Sequence, residues 1–99
     1  MLNYFWAFVV EFIGTFIFLY VIISTGQAIP IGLTLAAMLY LGLKISDGAF
    51  NPAVATMLYY QGKIDLPRYI GYVFFQLLAG LCAYHFYNYF KEHNNPDAI

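Results

Sequence analysis

From Phe5 to Thr25 the chain runs for twenty-one residues with one charged side chain, Glu11. As a helix, rising about 1.5 Å per residue, a run of that length crosses roughly 30 Å of hydrocarbon. The whole sequence agrees, with 63% of residues hydrophobic and 9% charged, where a soluble domain carries about 25% charged. It therefore reads as an all-α membrane protein. The first run lacks a basic leader and stays apolar past any small-residue cleavage pattern, so it is expected to be a retained span, not a signal peptide.

Punctuation along the chain sets the remaining elements. Gly26-Gln27-Ala28 makes a minimal turn, and Pro30 suits the first turn of a second span over about 29–45, since its missing N–H has no helical partner there. Ser46-Asp47-Gly48 favours a turn. Asn51 then reads as an N-cap and Pro52 as the first residue of a helix that reaches only about Tyr60 before Gln61-Gly62-Lys63. Ten residues rise roughly 15 Å, half the hydrocarbon thickness, which predicts a re-entrant half-helix over 51–60. Asp65-Leu66-Pro67-Arg68 opens a third span over about 69–90, and 91–99 reads as a polar tail. The predicted layout is one transmembrane domain over 1–90, ordered span, span, half-helix, span, with no internal repeat.

Composition excludes several functions. A net charge of -1 gives no basic footprint for nucleic acid. Cys82 is the only cysteine, so neither an intrachain disulfide nor a cysteine-based metal site can form. The chain offers no metal cluster, no nucleophile with a base and no paired carboxylates, so neither an enzyme nor a cofactor is expected.

Glu11 lies about a third of the way into its span, where an unpaired acid costs on the order of a few kcal/mol. It must point inward, and Gly14, Thr15 and Phe18 continue the same face. It is either a structural acceptor or a proton carrier, and no second ionisable group is available for a relay. Gly32 with Ala36, and Ala79 with Ala83, are small residues four apart that favour close helix packing. His85 is expected at the membrane interface, where the ten Tyr and ten Phe also supply anchoring.

Taken in order, Glu11-Phe12-Ile13-Gly14-Thr15, Gly32-Leu33 with Ala36, Ile45-Ser46 leading to Asn51-Pro52-Ala53-Val54, and Gln76 with Gly80 and Ala83 resemble one N-terminal half of the aquaporin and glycerol-channel family, the major intrinsic proteins. A lone Asn-Pro-Ala is also what an ordinary helix start in a loop can look like; the resemblance rests on all four elements together, over about Val10 to Tyr87.

The resemblance implies a passive channel for water or small neutral solutes such as glycerol. In it Asn51, Pro52 and Ala53 form half of the pore centre, while Glu11 and Gln76 support the pore loop. Ile31, Ala49 and Val54 fall at pore positions, Ile31 where water-selective members often carry an aromatic ring and Ala49 where a histidine is common. Gly14, Gly32, Ala36, Ala79, Gly80 and Ala83 pack the helices. Family members carry two such halves in inverted orientation, so the chain is expected to work in the lipid bilayer as a homo-oligomer, as an inverted dimer, or with a second half-channel or full-length subunit. The alternative is a non-conducting regulatory or structural subunit of a complete channel. Lys44, Lys63 and Arg68 lie on one side and Lys91 on the other, which favours a cytoplasmic N-terminus; inverted pairing would require insertion in both orientations.

Overall fold

The computed structural model describes residues 2–94, and within them the chain is a set of four helices. These are α1 (Leu2–Thr25), α2 (Ala28–Ser46), α3 (Pro52–Tyr60) and α4 (Leu66–Asn94). Three of them, over Tyr4–Thr25, Ala28–Ser46 and Leu66–His93, are long and apolar enough to cross a membrane. Nine residues give α3 a length of only about 13 Å. The expected fold class, three spanning helices and one short helix, is the one observed.

The turns follow from local chemistry. Gly26 takes a left-handed φ of 59° and ends α1, while the Thr25 hydroxyl accepts from the Gln27 N–H at 3.2 Å and so caps the bend. At the end of α2, Asp47 adopts φ 67° and returns its N–H to the Leu43 carbonyl at 3.0 Å, an αL stop. The third span differs from the expected 69–90 at both ends. Asp65 Oδ1 accepts from the Arg68 N–H at 3.0 Å, which caps the helix early, and Pro67 falls in the first turn, where it forfeits no helical bond. Beyond Phe90 the helix continues through Lys91, Glu92 and His93. These residues are compatible with helix, and the Lys91 ammonium suits its negative C-terminal end. Part of the expected polar tail is thus helical, and 95–99 lie outside the described residues.

α1 is the central helix, packing against α2 on one side and α4 on the other, with α3 held against α4. The α1–α4 seam is aromatic, with Phe8 edge-on to Tyr72, Phe12 to Phe75 and Phe16 to Phe86. Beneath it Ala7, Ala49, Ala55, Leu58, Ile64 and Tyr72 form the buried core. Thr56 Oγ1 and the Tyr69 hydroxyl share a 2.7 Å hydrogen bond, and the Tyr59 and Tyr69 rings stack at 5.0 Å, tying α3 to the start of α4.

Candidate functional site

The site is organised around Glu11, whose side chain is fully buried at 0% exposure. Its Oε2 accepts from the Ser46 hydroxyl at 2.7 Å and the Ala49 N–H at 3.0 Å. Its Oε1 accepts from the Phe50 N–H at 2.7 Å and the Gln76 amide Nε2 at 2.8 Å. A carboxylate has about four lone-pair sites, and these four donors fill them. They come from the end of α2, from the following loop and from α4, so one side chain on α1 ties α2, the loop and α4 together. Ser46 Oγ extends the network by accepting from the Gly48 N–H at 3.2 Å.

The loop between α2 and α3 is sharply bent. Asp47, Gly48 and Phe50 all have left-handed φ values, of 67°, 60° and 53°. Such a φ is uncommon for a bulky residue such as Phe50 and persists only where the surroundings over-determine it. Here two constraints do so. Its N–H is bound by Glu11, and its ring is seated in a notch between α1 and α2. A Cβ added to Gly14 would lie 2.3 Å from the Phe50 ring, and one added to Gly42 would lie 2.9 Å from it. Both glycines are therefore required by the ring itself.

Held this way, the chain enters α3 at Asn51, whose extended backbone has φ −163° and whose Oδ1 accepts from the Ala53 N–H at 2.7 Å. That bond occupies the amide oxygen and leaves the amide NH₂ for an outside acceptor. Asn51 is exposed, and with Pro52 it lines an open groove of about 620 Å³ between α1 and α4, together with Thr15, Phe18, Gln76 and Gly80. Two buried polar atoms on residues of that wall, Thr15 Oγ1 and Gln76 Oε1, have no hydrogen-bond partner among the described residues.

The other expected site residues fall in several places. Ala53 is exposed and Val54 half-buried in the first turn of α3. Ala49, expected at the pore, is 3% exposed and belongs to the core, and what it offers is its backbone N–H to Glu11. Ile31 sits half-buried in the first turns of α2, fifteen residues or roughly 22 Å of helix from Ser46, and the fold does not bring it to Asn51. Gly14 packs against Phe50, and Gly80 faces Leu19. Ala79 and Ala83 are buried in the α1–α4 packing. Gly32 and Ala36 are exposed, and a Cβ on Gly32 would meet nothing within 4 Å, so this pair packs against no helix among the described residues. His85 is exposed near the far end of α4.

From the sequence Ser46 reads only as a turn residue within the family resemblance, and Gly42 and Phe50 carry no signal of their roles. The available signal for Ser46 was an acid in a span with a hydroxyl-bearing turn beyond the next one. At the same end of the molecule, the Tyr4 hydroxyl donates to Asp65. That bond, with the Arg68 N–H, holds the Asp65 carboxyl below the usual carboxylate range. No group of His, Cys, Asp and Glu among the described residues could hold a metal ion.

A family model described as "Major intrinsic protein" matches residues 25–98. The chain is 31% identical to a probable aquaporin PIP2-8 of Arabidopsis thaliana, over 82% of this chain and 35% of the relative. It is 30% identical to aquaporin PIP2-7 of the same plant, over 91% and 38%. It is 34% identical to glycerol uptake facilitator protein-like 6 of Lactiplantibacillus plantarum, over 77% and 39%. The chain thus spans well under half the length of the curated relatives it matches. No solved structure matches it.

Proposed function

Because the chain belongs to the major intrinsic protein family and is an integral membrane protein, we propose that it forms half of a passive channel for water or small neutral solutes such as glycerol. The observation that carries this reading is the Glu11 clamp, which fixes the loop so that α3 starts at Asn51 on the wall of an open groove. A short helix starting inside the bilayer directs its first N–H groups and the positive end of its dipole at whatever fills that groove. Such an end repels cations and protons and donates to a neutral oxygen. The Asn51 amide adds a donor at the same place. Glu11 and Gln76 act as supports for the loop; with all its acceptor sites filled, Glu11 is unsuited to carrying protons.

Three spans and one short helix leave the groove open, so a closed conduit needs a second set of elements. A second copy in inverted orientation supplies them most simply, recreating the inverted repeat common among transport proteins; another half-channel or a full-length subunit fits the same groove. Lys44, Lys63 and Arg68 beside the N-terminal end of α1 favour placing that end in the cytoplasm.

Reconstitution of the purified chain alone in glycerol and sucrose gradients tests this. The account expects re-swelling in glycerol only, from a species that pulls down a differently tagged copy of itself. A chain that lacks permeability alone and gains it only with a complete channel would instead support the regulatory-subunit reading, to which the one-sided charge lends weight.

A further inference from the structure

The seam between α1 and α4 has two unlike sides. On one, Phe12 and Phe16 are committed to α4, edge-on to Phe75 and Phe86. Phe18 lies two residues past Phe16, roughly 200° around a helix of about 3.6 residues per turn, and so emerges on the opposite side. It continues the inward face of Glu11 at i+7 and of Thr15 at i+3, and it lines the open groove that contains Asn51. Its side chain is half-buried there. It is the largest on that wall besides Phe50, whose ring is already seated against Gly14 and Gly42.

The matching part of α4 is bare. Gly80 lines the same groove, and a Cβ built on it would meet only Leu19, at 3.5 Å. Leu19 directly follows Phe18, so Gly80 stands at the level of the ring. There the groove is bounded by an aromatic side chain on α1 and by backbone on α4, and its free width is what the ring leaves. A phenyl ring carries no strong donor or acceptor, so it sorts solutes by bulk, while the Asn51 amide supplies the donor. We propose that Phe18 sets the largest neutral solute that passes the groove, with Gly80 leaving the room beside it. The proposal rests on the channel reading above and adds to it the side chain that limits size. In an inverted pair each copy contributes one ring, at equal depths on either side of the centre, so every solute passes both.

Proteoliposomes bearing the full chain are challenged with water and with neutral solutes of rising size, urea, glycerol, xylitol and sucrose, which locates the parent's cut-off. Phe18→Ala is expected to raise permeability to the first excluded solute about tenfold, the discrimination an apolar pocket shows for a group of methylene size. Phe18→Trp is expected to lower permeability to the last admitted solute by a similar factor. Gly80→Ala, whose methyl meets Leu19 at ordinary contact distance, acts in the same direction as Phe18→Trp and keeps the test open should Phe18→Ala not fold. Ile17→Ala removes apolar bulk from the adjacent residue, which lines the notch between α1 and α2 instead, and leaves the cut-off where it was. A cut-off unmoved in every Phe18 and Gly80 variant that folds, or moved as far by Ile17→Ala, would overturn the assignment of Phe18 and leave the channel reading standing. A parent that admits none of the solutes, water included, would overturn both.

Discussion

Glu11 on the first helix accepts a hydrogen bond from the backbone N–H of Phe50, 39 residues later, at 2.7 Å. That contact converts a buried acid, a liability in a membrane span, into the anchor of the loop that starts α3. Removing the acceptor strands donors that have no water to turn to.

Glu11→Gln keeps the shape but replaces an accepting oxygen with an NH₂ that faces other donors. Breaking a buried charge-assisted network costs on the order of 3 kcal/mol. The variant is expected to melt markedly lower in detergent than the parent, and a melting point unchanged within error would sink the clamp.

The seat of Phe50 predicts a coupling. Gly14→Ala drives a methyl into the ring, an overpacking that costs roughly 1–3 kcal/mol, while Phe50→Ala opens a cavity worth about 3–5 kcal/mol. Combining the two relieves the clash, so the double variant is more stable than the sum of the single losses implies. Additive losses in a double-mutant cycle of melting experiments would show that the ring and the glycine do not meet.

Thr15 Oγ1 is buried without a partner among the described residues. Thr15→Val removes an unsatisfied hydroxyl at nearly constant shape, so it is expected to leave the stability of the isolated chain unchanged or to raise it by about 1 kcal/mol. Guanidinium or thermal melts of the detergent-solubilised chain provide the check, and a loss of similar size would mean that the hydroxyl is satisfied after all.

Acid sensitivity is expected at the Tyr4–Asp65 contact. The Asp65 carboxyl is held below its ordinary value of 3.8, chiefly by the Tyr4 hydroxyl and next by the Arg68 N–H. A depressed folded-state value contributes stability that is fully present above about pH 4 and disappears as the pH falls through that lower value. Melting points followed from pH 7 downward are expected to hold near neutrality and drop below about pH 4. Asp65→Asn is expected to flatten that part of the curve, and an identical acid limb in the variant would contradict the assignment.

Much of this arrangement could be read from the residues alone. Apolar runs interrupted at Gly26, Gly48 and Gly62 define the helices, Asn51-Pro52 marks where α3 begins, and the inward face of Glu11 follows from the cost of its charge in lipid. What could not be read was set by tertiary contact. A left-handed Phe50 is not predictable from its own preferences, because the ring's seat between Gly14 and Gly42 and the bond to Glu11 impose it. Ala49 gave no sign that its backbone, not its side chain, would matter. The α4 ends shifted because Asp65 caps a turn earlier than the apolar pattern does and because Lys91, Glu92 and His93 can continue a helix that the polarity pattern ends. Gly32 and Ala36 have the small-residue spacing that favours close packing, but both are exposed and no helix among the described residues packs on them.

The most direct test is stopped-flow osmotic shrinkage of proteoliposomes bearing the chain, its Asn51→Asp variant, or no protein. The account predicts water permeability clearly above empty vesicles for the parent and a return toward the empty-vesicle value for Asn51→Asp, which replaces the amide N–H donor with an anionic acceptor. Parent vesicles that shrink no faster than empty ones, or a variant indistinguishable from the parent, would contradict it.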